Sequence, residues 1–202
     1  MYTIRKLRQK PGHCGPATIE MMYSIYGIHK TQDEIAQAIG DVERITERGC
    51  SVDEMAHAVE QLTPNYILLG KMYGTIEDLR VLTEKYLLPV GVEWRGRFLE
   101  PDGRIWEEGH YSLVTHVNLS EGSLEVIDPY APGVNLLSMN DLIPIDLFLQ
   151  RWWDTNPIPS PENPAVVTEI RDDRLLYVLV PKTLTNGLRA VGLSPMMAVY
   201  SR

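Results

Sequence analysis

The stretch KPGHCGPATIEMM, residues 10–22, holds Cys14, one of two cysteines in the chain. Gly12 and Gly15 flank it closely, and Pro16 follows. If a helix begins at Cys14, its thiol sits at the positive end of the backbone dipoles, which favours thiolate over thiol. Gly15 leaves room for a substrate to approach the backbone, and Pro16 has no N–H to waste in a first turn. The same residues also fit a small buried thiol beside a turn, because free cysteine packs as a small apolar group.

A nucleophile needs a base, and the chain offers five histidines. His13 adjoins Cys14, so its side chain leaves the turn in another direction. His29 falls in a loop and His57 on an exposed helical position. His110 stands at the entrance of the strand HYSLVTHVNL, where a rigid sheet can present a side chain to a cleft. His116 is six residues on and, by the two-residue period, on the same face, roughly 20 Å further along. Asp128 ends the next strand in VIDPY. If these strands pair antiparallel around Glu121-Gly122, the register sets Asp128 beside His110 and far from His116. A carboxylate there would fix the imidazole tautomer and stabilise its charged form. Asp128-Pro129 also reads as a plain turn initiator. Gln9, five residues before Cys14 across Pro11-Gly12, is a candidate oxyanion donor or a solvated polar residue.

These side chains need elements to hold them. CGPATIEMMYSIYG has helical spacing in Ile19, Met22, Tyr23 and Tyr26, with Gly27 as a stop. TQDEIAQAIG and SVDEMAHAVEQL each open on a capping box, Thr31 with Glu34 and Ser51 with Glu54. A further helix starts at Thr75. Beyond it the pattern turns to strands: 87–94, a hairpin over 97–108 turning at Asp102-Gly103, then 110–119 and 123–130. A helix follows over 145–153, the proline-rich 155–164 reads as a loop, and a last strand covers 174–181. Helices first and hairpin-joined strands later make an α+β fold with an antiparallel sheet.

The composition is that of an ordinary globular chain, 44% hydrophobic and 23% charged over 202 residues. A net charge of -8 argues against nucleic acid and anionic membranes as partners. The basic start MYTIRKLRQK is followed by no apolar segment, so no signal peptide is expected, and no apolar run reaches membrane-spanning length. Two cysteines make no disulfide framework, and a cytoplasmic location is expected. Cys50, just before a helix cap, reads as filler. No metal-ligand spacing or phosphate-cradling glycine pattern occurs, so no cofactor is expected.

Q-KPGH-CGPA near the start, GHYSLVTHV and EVIDPY, in that order, resemble the papain-like cysteine peptidases of the bacteriocin-processing, or double-glycine, type, and above all their stand-alone domains. GCSVDEMAHAVEQL, TIEDLRVLTEKYLLPVGVEW and IDLFLQRWW resemble intervening elements of that family, so the likeness spans roughly residues 5–181. It implies a papain-like α+β fold, N-terminal helices packed on a C-terminal antiparallel sheet, over a single domain at 1–182, with 183–202 an extension of unassigned structure. It also implies Cys14 as nucleophile, His110 as base, Asp128 as its orienter and Gln9 as oxyanion donor, acting on a peptide or protein substrate through a thioester. The hairpin before His110 is longer than the family needs and would form a wall or lid. An acyl transferase or amidase on the same residues, and a peptide-binding module that kept only the fold, are the alternative readings. The oligomeric state is left open.

Overall fold

A computed structural model describes residues 3–159 and 167–196. Four helices come first: α1 (Cys14–Ser24), α2 (Gln32–Ile39), α3 (Val42–Arg48) and α4 (Val52–Leu62). Strand β1 (Tyr66–Lys71) and helix α5 (Ile76–Arg80), continued by a π-helical turn, lead to β2 (Val90–Leu99), β3 (Ile105–Asn118) and β4 (Ser123–Ile127). Short strands β5 (Val134–Asn135) and β6 (Leu142–Pro144), helix α6 (Ile145–Arg151), and strands β7 (Trp153–Pro159), β8 (Val167–Asp173) and β9 (Leu176–Pro181) follow. Helix α7 (Thr185–Arg189) and β10 (Ser194–Pro195) close the described chain.

The fold is α+β. The main sheet runs β10-β1-β9-β2-β3-β4-β6, with β5 on β2, and every pairing is antiparallel. The first four helices cover one face through Ile19, Met22, Ile35, Met55 and Val59, packed with Tyr111, Leu113, Tyr177 and Leu179 of the sheet. The other face packs Val90, Val92, Trp94, Val114 and Val178 against Leu79 of α5, Phe148 of α6 and Leu188 of α7. Central strands buried on both faces read as continuous apolar runs rather than alternating ones, as in Leu176–Val180.

Local sequence explains the helix starts. Thr31 with Glu34, Ser51 with Glu54 and Thr75 with Asp78 all form capping boxes. Helix α1 has no such cap and no acidic first turn, but nine of its eleven residues are buried, so packing holds it.

Four expectations change. Helix α3, capped by Asp41, and strand β1 join the elements read from sequence. The 97–108 hairpin is continuous with the strands on either side of it: β2 and β3 pair without a break from Val90↔Val114 to Leu99↔Ile105, and β3 is a single strand of 14 residues that also pairs with β4 as the second expected hairpin. Part of the proline-rich segment is not loop, because Trp153–Pro159 pairs with Val167–Asp173 in a separate two-stranded ribbon. Pro157 and Pro159 lie two apart on that ribbon, so their missing N–H groups fall on one side of an edge strand, where proline is tolerated. Residues 160–164 of that segment lie outside the described residues. Beyond residue 182, β10 pairs with β1 through Leu69↔Pro195 and Gly70↔Ser194; residues 197–202 of the expected extension lie outside the described residues.

Candidate active site

The N-terminal end of α1 is built by close backbone approach. Residues Pro11-Gly12 turn the chain, with His13 N–H donating to Lys10 O at 2.9 Å. Gly12 has φ +69°, and a Cβ there would stand 2.0 Å from the Ile45 carbonyl at the end of α3, so only glycine fits. A Cβ on Gly15 would meet Met55 Sδ at 2.7 Å and Cys50 Sγ at 2.8 Å, so α1 lies close on α4. Cys14 is left as the first helical residue, half-buried and free. His13 is buried and its Nδ1 is held by the Pro11 carbonyl at 2.6 Å, which removes it from the site. Cys50 is buried and free, and burial pushes its thiol well up.

His110 comes from β3 and Asp128 directly follows the last residue of β4. The two strands pair with Leu113↔Ile127 and Asn118↔Ser123, which is the register the sequence argument requires. His110 Nε2 lies 2.7 Å from Asp128 Oδ1. With Nε2 so occupied, Nδ1 is the ring nitrogen left for the Cys14 thiol, whose proximity raises the imidazole further. His110 is 3% exposed. Burial works against its charged form, but the Asp128 carboxylate and its hydrogen bond, with Cys14 added, push the imidazole up to about 10. Burial likewise opposes the Asp128 charge, and His110, Tyr130 N–H and Ser138 outweigh it, taking the carboxyl down to about 2.

His116 does not compete. A bulge between Val114 and His116 shifts the register, so Val117 rather than His116 continues the row of Ser112 and Val114. His116 therefore leaves the face expected from simple alternation, and it is exposed at the far end of the hairpin.

Gln9 lines the same cavity as Cys14 and His110, a hollow of about 260 Å³. Its backbone N–H donates to Pro129 O at 2.7 Å, tying the N-terminal segment to the loop after Asp128. Gln9 Oε1 is buried without a hydrogen-bond partner among the described residues. An oxyanion donor must turn Nε2 to the cavity, which rotation of the amide group supplies.

Several supporting residues are not signalled by sequence. Asn135 Nδ2 and Ser138 Oγ each donate to Asp128 Oδ2 at 2.9 Å, and Tyr130 N–H donates to Oδ1 at 2.9 Å. Gln32 clamps the Gln9 segment, donating to Arg8 O and accepting from Lys10 N–H, both at 2.9 Å. The long hairpin forms the opposite wall through Phe98, Glu100, Trp106 and Glu108, as its length suggests. Trp94 packs in the core on Phe148, with its Nε1–H on Ser112, so it is not part of that wall. No cluster of metal ligands occurs among the described residues. A half-buried thiol at a helix start, beside an imidazole held charged by a carboxylate, can attack a carbonyl and return the proton to a leaving group.

No family model matches the chain and no curated relative does. Among solved structures it is similar to the peptidase domain of Streptococcus ComA, a bi-functional ABC transporter involved in a quorum sensing pathway. The two share 13% identity at a TM-score of 0.52, over 90% of this chain and all of that one. At this identity the likeness is one of fold: the chain has the α+β, papain-like architecture of that peptidase domain. No described helix is long and apolar enough to cross a membrane.

Proposed function

We propose that the chain is a cysteine peptidase that cleaves a peptide bond of a peptide or protein substrate. The observation that carries this reading is Cys14 and His110 lining one cavity, with Asp128 hydrogen-bonded behind His110 and the imidazole held charged. The Cys14 thiolate attacks the scissile carbonyl and forms the tetrahedral intermediate. The Gln9 amide and the Cys14 N–H, a free donor in the first turn of α1, face its oxyanion. His110 Nδ1–H gives its proton to the leaving amine, and a thioester remains on Cys14. Water, deprotonated by His110, then resolves the thioester and frees the acid. Asp128 acts through His110 and is a positioning residue.

The test is covalent labelling by a peptidyl electrophile selective for activated thiols. Wild type should label once, at Cys14, and Cys14→Ala should not label at all. Labelling that persists in Cys14→Ala, or that maps to Cys50, would overturn the assignment.

A further inference from the structure

The free end of the β2–β3 hairpin carries more than a wall needs. β4 stops pairing with β3 at Leu113, so residues 96–109 reach past it to the cavity edge. Trp106, Glu108 and His110 alternate along β3 and so share one face, turned to the cavity. Phe98 of β2 lies opposite Trp106 in register. Its ring stacks on Tyr130 at 4.1 Å and meets Trp106 at 5.1 Å. Gly96 makes room for this: a Cβ there would stand 2.3 Å from the Phe98 ring. Phe98 and Tyr130 are buried, and Trp106 keeps 38% of its surface exposed.

Glu100 is fastened to this aromatic platform. Its Oε1 accepts the Trp106 indole N–H at 3.0 Å and the Tyr130 hydroxyl. Its Oε2 makes no hydrogen bond or ion pair among the described residues. Arg104, which lies beside it, is taken by Asp102 at 2.7 Å, across the turn, and Arg48 of α3 lines the same cavity. Glu108 lines the same cavity and has no ion pair among the described residues; its neighbour Arg95 is held by Asp154 at 3.2 Å. Nothing in the peptidase chemistry requires a fixed carboxylate beside an exposed indole. That pairing is what binds an organic cation: the ring face attracts the charge and the carboxylate accepts its hydrogens.

We propose that Trp106 and Glu100, with Glu108 beside them, form a subsite for a lysine or arginine side chain of the peptide, near the bond that Cys14 attacks. This rests on the peptidase reading for its substrate, but not for its test.

The probe is a set of fluorescein-labelled, acetylated Ala/Gly hexapeptides with one Lys, Arg, norleucine or Glu scanned through each position. Binding to the inactive Cys14→Ala protein is followed by anisotropy, and cleavage by wild type separately. At one position Lys or Arg should bind at least about tenfold tighter than norleucine, the worth of one charge-assisted contact. That ratio should fall toward one in Cys14→Ala/Glu100→Gln, and should shrink as salt rises from low to high ionic strength. Equal or better binding of norleucine or Glu at every position would overturn the subsite, as would a ratio unchanged by Glu100→Gln. If wild type cleaves peptides with no preference for charge, the subsite fails and the peptidase stands. If cationic peptides bind through Glu100 but none is cleaved, the subsite stands and the peptidase reading fails.

Discussion

His110 is the residue on which the chemistry turns, and its charge is set by its neighbours, Asp128 first. Burial alone would lower its pKa; the Asp128 carboxylate, with Cys14 added, reverses the sign and takes it to about 10. The imidazolium that protonates the leaving group therefore persists across neutral pH and is lost only as pH rises through about 10. For wild type, the alkaline limb of kcat/KM should fall there and not near the ordinary value of about 6.5. Asp128→Asn keeps the shape but removes the charge, leaving burial to act. Its alkaline limb should move down by at least about two units and its kcat at pH 7 should drop by about 10²–10⁴-fold, the range of a general acid–base contribution. A pH profile of the variant that overlays wild type would remove Asp128 from the mechanism. The His110 and Asp128 pair was legible because a hairpin register is a local rule: two strands and one turn fix which ends meet. Asn135, Ser138 and Gln32 were not, since they arrive from loops or from a helix start with no periodic pattern to announce them. His116 leaves the face that alternation gives it because one extra residue in a strand reverses every later side chain, and composition does not mark a bulge.

At the scale of elements, the glycine before His110 belongs to the ribbon more than to the cavity. A Cβ on Gly109 would stand 1.6 Å from Asp154 Oδ2, the carboxylate by which β7 also holds Arg95. β7 thus lies flush against the strand that presents His110, and any side chain at 109 pushes the two apart. Gly109→Ala should cost about 1–3 kcal/mol in urea unfolding, as overpacking does, and should lower kcat by displacing His110. Removing the obstacle should relieve it: in Gly109→Ala/Asp154→Ala the two losses should fall short of their sum by at least about 1 kcal/mol. Strict additivity would mean that Asp154 does not fix the spacing. Element identity was readable where a cap or a period announced it, as at Thr31, Ser51 and Thr75. It failed for β7, where prolines that signal a loop occupy an edge that tolerates them. It failed for α3 too, a seven-residue helix that buries only Ile45.

For the molecule as a whole, the apolar core divides in two across the main sheet. Strands buried on both faces carry no alternation to say that α5, α6 and α7 cover the second face. Nor does the pattern announce the seam between the main sheet and the ribbon, where Glu93, Asp154 and Asp172 are all buried. Asn156 Nδ2 bridges two of them, donating to Asp172 at 2.8 Å and to Glu93 at 3.2 Å, and Tyr111 lies opposite Glu93 in register. Arg95 lies in the seam and is paired with Asp154. Burial first, then the charges of Asp154 and Asp172, push the Glu93 carboxyl well above its ordinary range. An acid raised in the folded state binds its proton more tightly there than in the unfolded chain. Its effect is therefore to weaken the fold as pH climbs from the unfolded value of about 4.3 toward the folded one. His110 adds a loss of its own as pH rises from the unfolded value of about 6.5 to about 10, and Asp128 as pH falls from its unfolded value of about 3.9 to about 2. Glu93→Gln keeps the volume and an acceptor for Asn156 and cannot ionise. At pH 8 it should be more stable than wild type by at least about 1 kcal/mol, or about 2–4 °C in Tm for a chain of this size. The gain should shrink as pH falls and vanish near pH 4, where the native carboxyl is protonated in both states. Thermal melts of the two proteins across pH 4 to 8 decide it: a difference that stays constant with pH would show that Glu93 ionises freely in the seam, and that the ribbon docks without holding a proton.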